Sequence, residues 1–173
     1  LIEKMGGTIT FESTEGRGTI FVIRVPFRID TDRESKAETE AKTEASIRGL
    51  HILLAEDNEL NMEIAEFMLQ NEGAVVTKTW NGQEAVEIFE KSRPDEFDVI
   101  LMDIMMPVMN GYEAAKMIRS MDREDAKTIP IIAMTANAFT EDRIKAKEAG
   151  MDEHISKPID MKLLVKIIHE LVY

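Results

Sequence analysis

The chain has 173 residues, an apolar fraction of 44%, a net charge of −12 at pH 7 and no cysteine. That length accommodates one full domain and a smaller piece. The acidic balance excludes the ordinary nucleic-acid and anionic-membrane partners, whose phosphates select clustered Lys and Arg, and the missing cysteine excludes disulfide frameworks and thiolate metal sites.

No apolar run approaches the ~20 residues that span a bilayer. The chain opens mid-pattern at Leu1 with no signal-peptide architecture, as expected of a piece of a longer protein in a reducing, cytoplasmic setting. Residues 1–28 read as a β-hairpin: "TITFES" alternates with Ile9 and Phe11 on one face, "TEGRG" is a turn, and "TIFVIRVPF" alternates again through Phe21, Ile23, Val25 and Phe27. A lone hairpin is marginal in water, so this one is expected to pack on a partner. Residues 29–48 mix Glu, Lys, Thr, Ser and Ala and read as a solvated linker.

Residues 49–173 change character. "HILLA", "VVTKT", "DVILM" and "IPIIAMTA" are short apolar runs of the kind buried on both faces of a sheet, and a short last strand is expected at 153–156. Helical patterns alternate with them. Residues 58–72 set Leu60, Ile64, Phe67 and Met68 on one stripe; 82–91 carry Ala85, Val86 and Phe89; 111–121 carry Ala114, Ala115 and Ile118. Residues 140–149 form a charged helix ended by Gly150, and 160–172 start at an Asp160 cap and present Leu164, Ile167, Ile168 and Leu171. Five βα units argue for a parallel sheet with helices on both faces.

In such a sheet chemistry sits outside the carboxyl ends of the strands. Glu56 and Asp57 follow "HILLA", Asp103 ends "DVILM", Thr135 then Ala136 end "IPIIAM", and Lys157 and Pro158 follow the last strand. Singly, each has a plain structural reading: Asp103 as a strand-end cap, Glu56–Asp57 as a helix cap, Thr135 as a strand end, Lys157 as a solvated charge. Together on four strand ends they suggest more. Three carboxylates repel unless one binds a proton or the group binds a cation, and oxygen donors suit Mg²⁺, which takes one or two carboxylates and leaves others free. A free carboxylate can accept a phosphoryl group, with Lys157 and Thr135 serving its oxygens and Ala136 leaving room.

The stretches "LLAEDN", "DVILMDIMMPVMNGYEA", "PIIAMTANAF" and "GMDEHISKPID" resemble the receiver domains of two-component phosphorelays, over residues 49–173. The resemblance implies a flavodoxin-like (βα)5 sheet of strand order 2-1-3-4-5, with Asp103 as phosphoacceptor. It implies Mg²⁺ held by Glu56, Asp57, Asp103 and the Met105 carbonyl, and Thr135 and Lys157 on the phosphoryl group. It implies a cis bond between Lys157 and Pro158, and a switch through Thr135 to the face made by the last two helices and the last strand. Receivers usually carry Tyr or Phe three residues before the lysine; here that residue is His154. Met105 and Asn137 flank the approach of water and would set phosphoryl lifetime. The donor would be the phosphohistidine domain of a kinase, and a histidine phosphotransfer protein could take the phosphoryl group onward.

The first 27 residues resemble the end of a histidine-kinase ATPase domain, with Gly16 and Gly18 in its last glycine box. The order of kinase end, linker and receiver resembles a hybrid sensor histidine kinase, a membrane-anchored type of parent. The nucleotide-contacting motifs and the phosphorylatable histidine helix are not in this sequence, so the expected activity is confined to Asp phosphorylation and dephosphorylation. Two other readings stand beside this one. A hydrolase of the haloacid dehalogenase type would need a second aspartate two residues after Asp103, where this chain has Met105. A phosphorylation-independent interaction module would use the hairpin, pairing it with a copy of itself or with a sheet edge.

Overall fold

The structure, a computed structural model, describes residues 6–14, 16, 18–24, 26, 45–136 and 140–173. The chain divides into two compact units, Leu1–Thr43 and Glu44–Tyr173.

In the first unit, β1 (Thr8–Thr14) and β2 (Gly18–Arg24) form an antiparallel hairpin. Its register sets Ile9 opposite Ile23 and Phe11 opposite Phe21, so the alternation read from the sequence becomes two cross-strand apolar pairs. The Phe11 and Phe21 rings lie 5.9 Å apart and tilted, and all four side chains are exposed. Gly16 stands in the turn and Gly18 opens β2. Val25, Phe27 and linker residues 29–44 lie outside the described residues.

The second unit is a five-stranded parallel sheet, ordered β4 (Val75–Thr79), β3 (His51–Ala55), β5 (Val99–Asp103), β6 (Ile131–Thr135), β7 (Glu153–Ser156). In order of strands along the chain this is 2-1-3-4-5. Successive strand residues point to opposite faces. Ile52, Leu54, Val99, Leu101, Ile132 and Met134 therefore join one core layer, and Leu53, Ala55, Ile100, Met102, Ile131 and Ala133 the other. The central strands are buried throughout, and each fully buried Ile or Leu contributes ~1.5–3 kcal/mol.

The first layer is covered by α1 (Glu59–Asn71) and α6 (Met161–Val172), the second by α2 (Gly82–Lys91), α3 (Gly111–Arg119), the short α4 (Glu124–Thr128) and the end of α5 (Thr140–Glu148). The expected faces of α2, α3 and α6 are the ones that pack. In α6, Asp160 accepts from the backbone N–H groups of Lys162 and Leu163.

Three features depart from the sequence reading. The apolar stripe of α1 points outward: Leu60, Ile64 and Phe67 are exposed, Phe67 to 72%, while Met62, Ala65 and Leu69 fill the core. Both sets have helical spacing, and the smaller set is the one that fits against the sheet. Second, the packed unit takes in residues 45–48, which the composition assigns to the linker. Ile47 is completely buried among the residues of the first core layer. Third, α4 forms where the sequence shows no helical pattern. Its entry is held by Arg123, whose guanidinium lies 4.5 Å from the Phe89 ring centre and donates to the carbonyls of Phe89, Ser92 and Arg93 and to the Asp125 carboxylate.

Candidate functional site

Because the five strands run the same way, their carboxyl ends share one edge, and the polar residues that follow them meet there. Glu56 and Asp57 come from the end of β3, Asp103 is the last residue of β5, Thr135 the last of β6, and Lys157 follows β7. The carboxylates of Glu56, Asp57 and Asp103 offer oxygens that all lie within 4.8 Å of one another. Glu56 and Asp103 are buried, whereas Asp57 is exposed.

Lys157 holds this arrangement together. Its Nζ donates to Asp103 Oδ2 at 2.7 Å and to Glu56 Oε2 at 2.5 Å. Its backbone N–H donates to the Thr135 carbonyl at 2.8 Å, and the Lys157–Pro158 bond is cis. The remaining oxygens have partners of their own. Asp103 Oδ1 accepts from the Met105 N–H at 3.2 Å, and Glu56 Oε1 accepts from Asn61 Nδ2 at 3.0 Å and the Asn58 N–H at 3.4 Å.

The electrostatics follow from burial. Removal from water pushes the Asp103 carboxyl above the ordinary aspartate range, and the hydrogen bond and charge of Lys157 offset only part of that rise. Burial alone would lower Lys157, but its bonds to Asp103 and Glu56 outweigh it and hold the ammonium above its usual value. The site therefore sets three carboxyl groups against one ammonium, with Glu56 and Asp103 sheltered from solvent and Asp57 open to it. Such a site attracts a hard cation, and its donors are all oxygens.

The loop after Asp103 is shaped by close contacts. Ile104 and Met106 are buried, and Met105 is 78% exposed. Gly111 opens α3 directly against the strand end: a Cβ there would stand 2.2 Å from the Asp103 carbonyl oxygen. Thr135 is buried beside Asp103's strand, at the level of Ser156 on β7. His154 sits on β7 opposite Ala133, half-buried, with Nδ1 3.5 Å from Glu153 Oε2, and lines a pocket of about 300 Å³ with Arg143, Ile144 and Lys147. Asn137 lies outside the described residues. Gly16 and Gly18 belong to the other unit. Sequence reasoning missed Asn61, although the spacing in "DNELN" places it at the third helical position behind the Asn58 cap.

Residues 52–169 match the response regulator receiver domain. Histidine kinase 1 of Arabidopsis thaliana is 37% identical over 159 residues, which are 75% of this chain and 13% of that protein; this chain thus spans a small part of such relatives. Among solved structures, the receiver domain of sensor histidine kinase PA1611 from Pseudomonas aeruginosa PAO1, with a magnesium ion coordinated in its active-site cleft, is 40% identical. It superposes at a TM-score of 0.65, covering 72% of this chain and 98% of that one. The receiver domain of Ssk1 from Saccharomyces cerevisiae, crystallised with the histidine phosphotransfer protein Ypd1, is 30% identical with a TM-score of 0.65, covering 73% of this chain and 90% of that one. With its parallel sheet, its acidic cluster and these relatives, the chain belongs to the response regulator receiver family.

Proposed function

We propose that this receiver takes a phosphoryl group from a phosphohistidine protein onto Asp103. The observation that carries the reading is the Lys157 ammonium joining Asp103 and Glu56 at the carboxyl edge of the sheet. In the transfer, a carboxylate oxygen of Asp103 forms the new O–P bond as the N–P bond of the donor phosphoimidazole breaks, and the electron pair of that bond stays on the donor nitrogen. Lys157 follows the transferred charge, since its ammonium already touches Asp103. Thr135, at the end of the neighbouring strand, serves a second phosphoryl oxygen, and Ala136 beside it leaves room.

The oxygens of Glu56, Asp57 and Asp103 fit Mg²⁺, with the Met105 carbonyl as a further ligand. When bound, the ion supplies positive charge against the phosphoryl oxygens. The readout passes from Thr135 to His154, whose imidazole rotates toward or away from the surface of α5, β7 and α6. Met105 and Asn137 control the access of water, and so the lifetime of the acyl phosphate.

The partner is a phosphohistidine-bearing protein, either the phosphohistidine domain of a kinase or a histidine phosphotransfer protein. Its docking surface is the outward stripe of Leu60, Ile64 and Phe67, because α1 begins three residues after Glu56 and carries that stripe away from the site. The parent is a hybrid sensor histidine kinase. Residues 1–28, which include the β1–β2 hairpin, are the end of its ATPase domain, and the linker runs from residue 29 to the packed unit, which takes in residues 45–48. A second use of the hairpin is favoured by its exposed Phe11 and Phe21, which would let two chains pair through it.

The test is transfer of labelled phosphoryl from a histidine phosphotransfer protein in Mg²⁺. The chain should take up label, Asp103→Asn should take up none, and Phe67→Ala should slow the transfer while leaving phosphorylation by acetyl phosphate unchanged. Label retained by Asp103→Asn would refute the assignment.

A further inference from the structure

Among the helices that start on the edge bearing the site, α1, α2 and α3 are capped by asparagine. Asn58, Asn81 and Asn110 each accept from the backbone N–H of the third helical residue, at 3.0, 2.9 and 3.0 Å. Glutamate is the residue that suits this third position, because its carboxylate reaches back to the start of the helix. In α2, Glu84 does so, accepting from Asn81 Nδ2 and the Trp80 N–H, each at 2.9 Å. In α3, Glu113 completes the box by accepting from the Asn110 N–H.

The first helix breaks the pattern. Its third residue is Asn61, which turns away from the cap and donates Nδ2 to Glu56 Oε1 at 3.0 Å. The Asn58 N–H, left without the usual glutamate, points to the same oxygen at 3.4 Å. A glutamate at position 61 would add a fourth carboxylate beside Glu56. Asparagine instead supplies a neutral donor, at some loss of capping, and such a local departure from the helix rule belongs at a working site.

The geometry points to Asn61 as a positioning residue that fixes Glu56 for cation binding. Glu56 is anchored on Oε1 by Asn61, which leaves Oε2 on the Lys157 ammonium that it shares with Asp103. A cation entering among Glu56, Asp57 and Asp103 competes with Lys157 for Oε2, and the Asn61 bond keeps the carboxylate from swinging out of reach while Lys157 gives way. Residues that orient a metal ligand in this way typically change affinity ~10–100-fold when lost. The inference rests on the cation site proposed above.

The experiment is calorimetric titration of Mg²⁺ into the intact chain and into Asn61→Leu, Glu56→Ala and the double variant, with Tm measured in EDTA. Asn61→Ser, too short to reach Glu56, is titrated beside them should the leucine variant not fold. Asn61→Leu and Asn61→Ser are expected to bind Mg²⁺ about 10-fold more weakly, with Tm little changed. Adding Asn61→Leu to Glu56→Ala is expected to cause no further loss, because the effect passes through Glu56. Wild-type affinity in both Asn61 variants, or an equal loss in the Glu56→Ala background, would overturn the role of Asn61 and leave the cation site standing. No Mg²⁺ binding by the unaltered chain would overturn the cation site, and this role with it.

Discussion

Replacing Lys157 with methionine removes the ammonium between Glu56 and Asp103 and keeps most of the side chain's bulk. The two carboxylates it touches are 2% and 5% exposed, so neither recovers full hydration when the charge is lost. Taking one partner out of a buried ion pair costs ~3–5 kcal/mol. The Lys157 side chain is itself 20% exposed and Asp57 opens the site to water, so the cost here is smaller, about 2 kcal/mol. For a unit of this size that is a fall of about 6–10 °C in Tm.

The pH dependence of that fall is a second readout. Lys157 is held above its ordinary value, so its contribution is present throughout the neutral range and disappears only as alkaline pH passes its folded-state value. Asp103 is already pushed up by burial, and without the ammonium it rises further. The variant's deficit therefore shrinks as the pH is lowered and Asp103 takes up its proton. Thermal unfolding followed by circular dichroism in EDTA, at neutral pH and about two pH units lower, measures both effects. An unchanged Tm at neutral pH, or a deficit that stays the same in acid, would refute the claim that Lys157 compensates two buried carboxylates.

Two further predictions concern the surroundings of the site. Gly111→Ala places a methyl group where only 2.2 Å separates it from the Asp103 carbonyl oxygen. The end of β5 must shift, at about 1–3 kcal/mol as in other overpacked sites, and phosphorylation by acetyl phosphate should slow with it; a variant with the stability and rate of the wild type would show that the contact yields freely. Asp125 is held down to about 2 by its hydrogen bond from Arg123. Its stabilising contribution is therefore full above the ordinary aspartate value and is lost as pH falls through about 2. Asp125→Asn should lower Tm at neutral pH and converge with the wild type near pH 2, and a constant gap in chemical denaturation across that range would contradict the pairing.

The sheet was legible because its strands are buried on both faces, which writes them as unbroken runs such as "DVILM" and "IPIIAM". Parallel strands then place whatever follows them on one edge, so Glu56, Asp103, Thr135 and Lys157 could be brought together before any coordinates. The phase of α1 was not legible in the same way. Leu60, Ile64 and Phe67 are larger than Met62, Ala65 and Leu69 taken as a set, and periodicity alone cannot tell a core stripe from a surface one. Ile47 was hidden by its polar neighbours, and α4 by its brevity and by an anchor, Arg123, whose partners lie about 30 residues away in the chain. The Asn61–Glu56 bond was out of reach because it joins a helix to a strand end, where spacing names a cap but not its partner. The match over residues 52–169 agrees with the part of the sequence that carries these signals, and no helix among the described residues is long and apolar enough to cross a membrane.

The central claim is that Asp103 carries the phosphoryl group. The most direct measurement is to treat the intact chain with acetyl phosphate and Mg²⁺, weigh it, and locate the acyl phosphate by borohydride reduction, which expels phosphate and leaves homoserine in place of the phosphorylated aspartate, before peptide mapping. The account predicts a mass gain of a single phosphoryl group, with the reduced side chain at position 103, and neither in Asp103→Asn. A group found on Glu56 or Asp57, or gained by Asp103→Asn to the same extent, would contradict it.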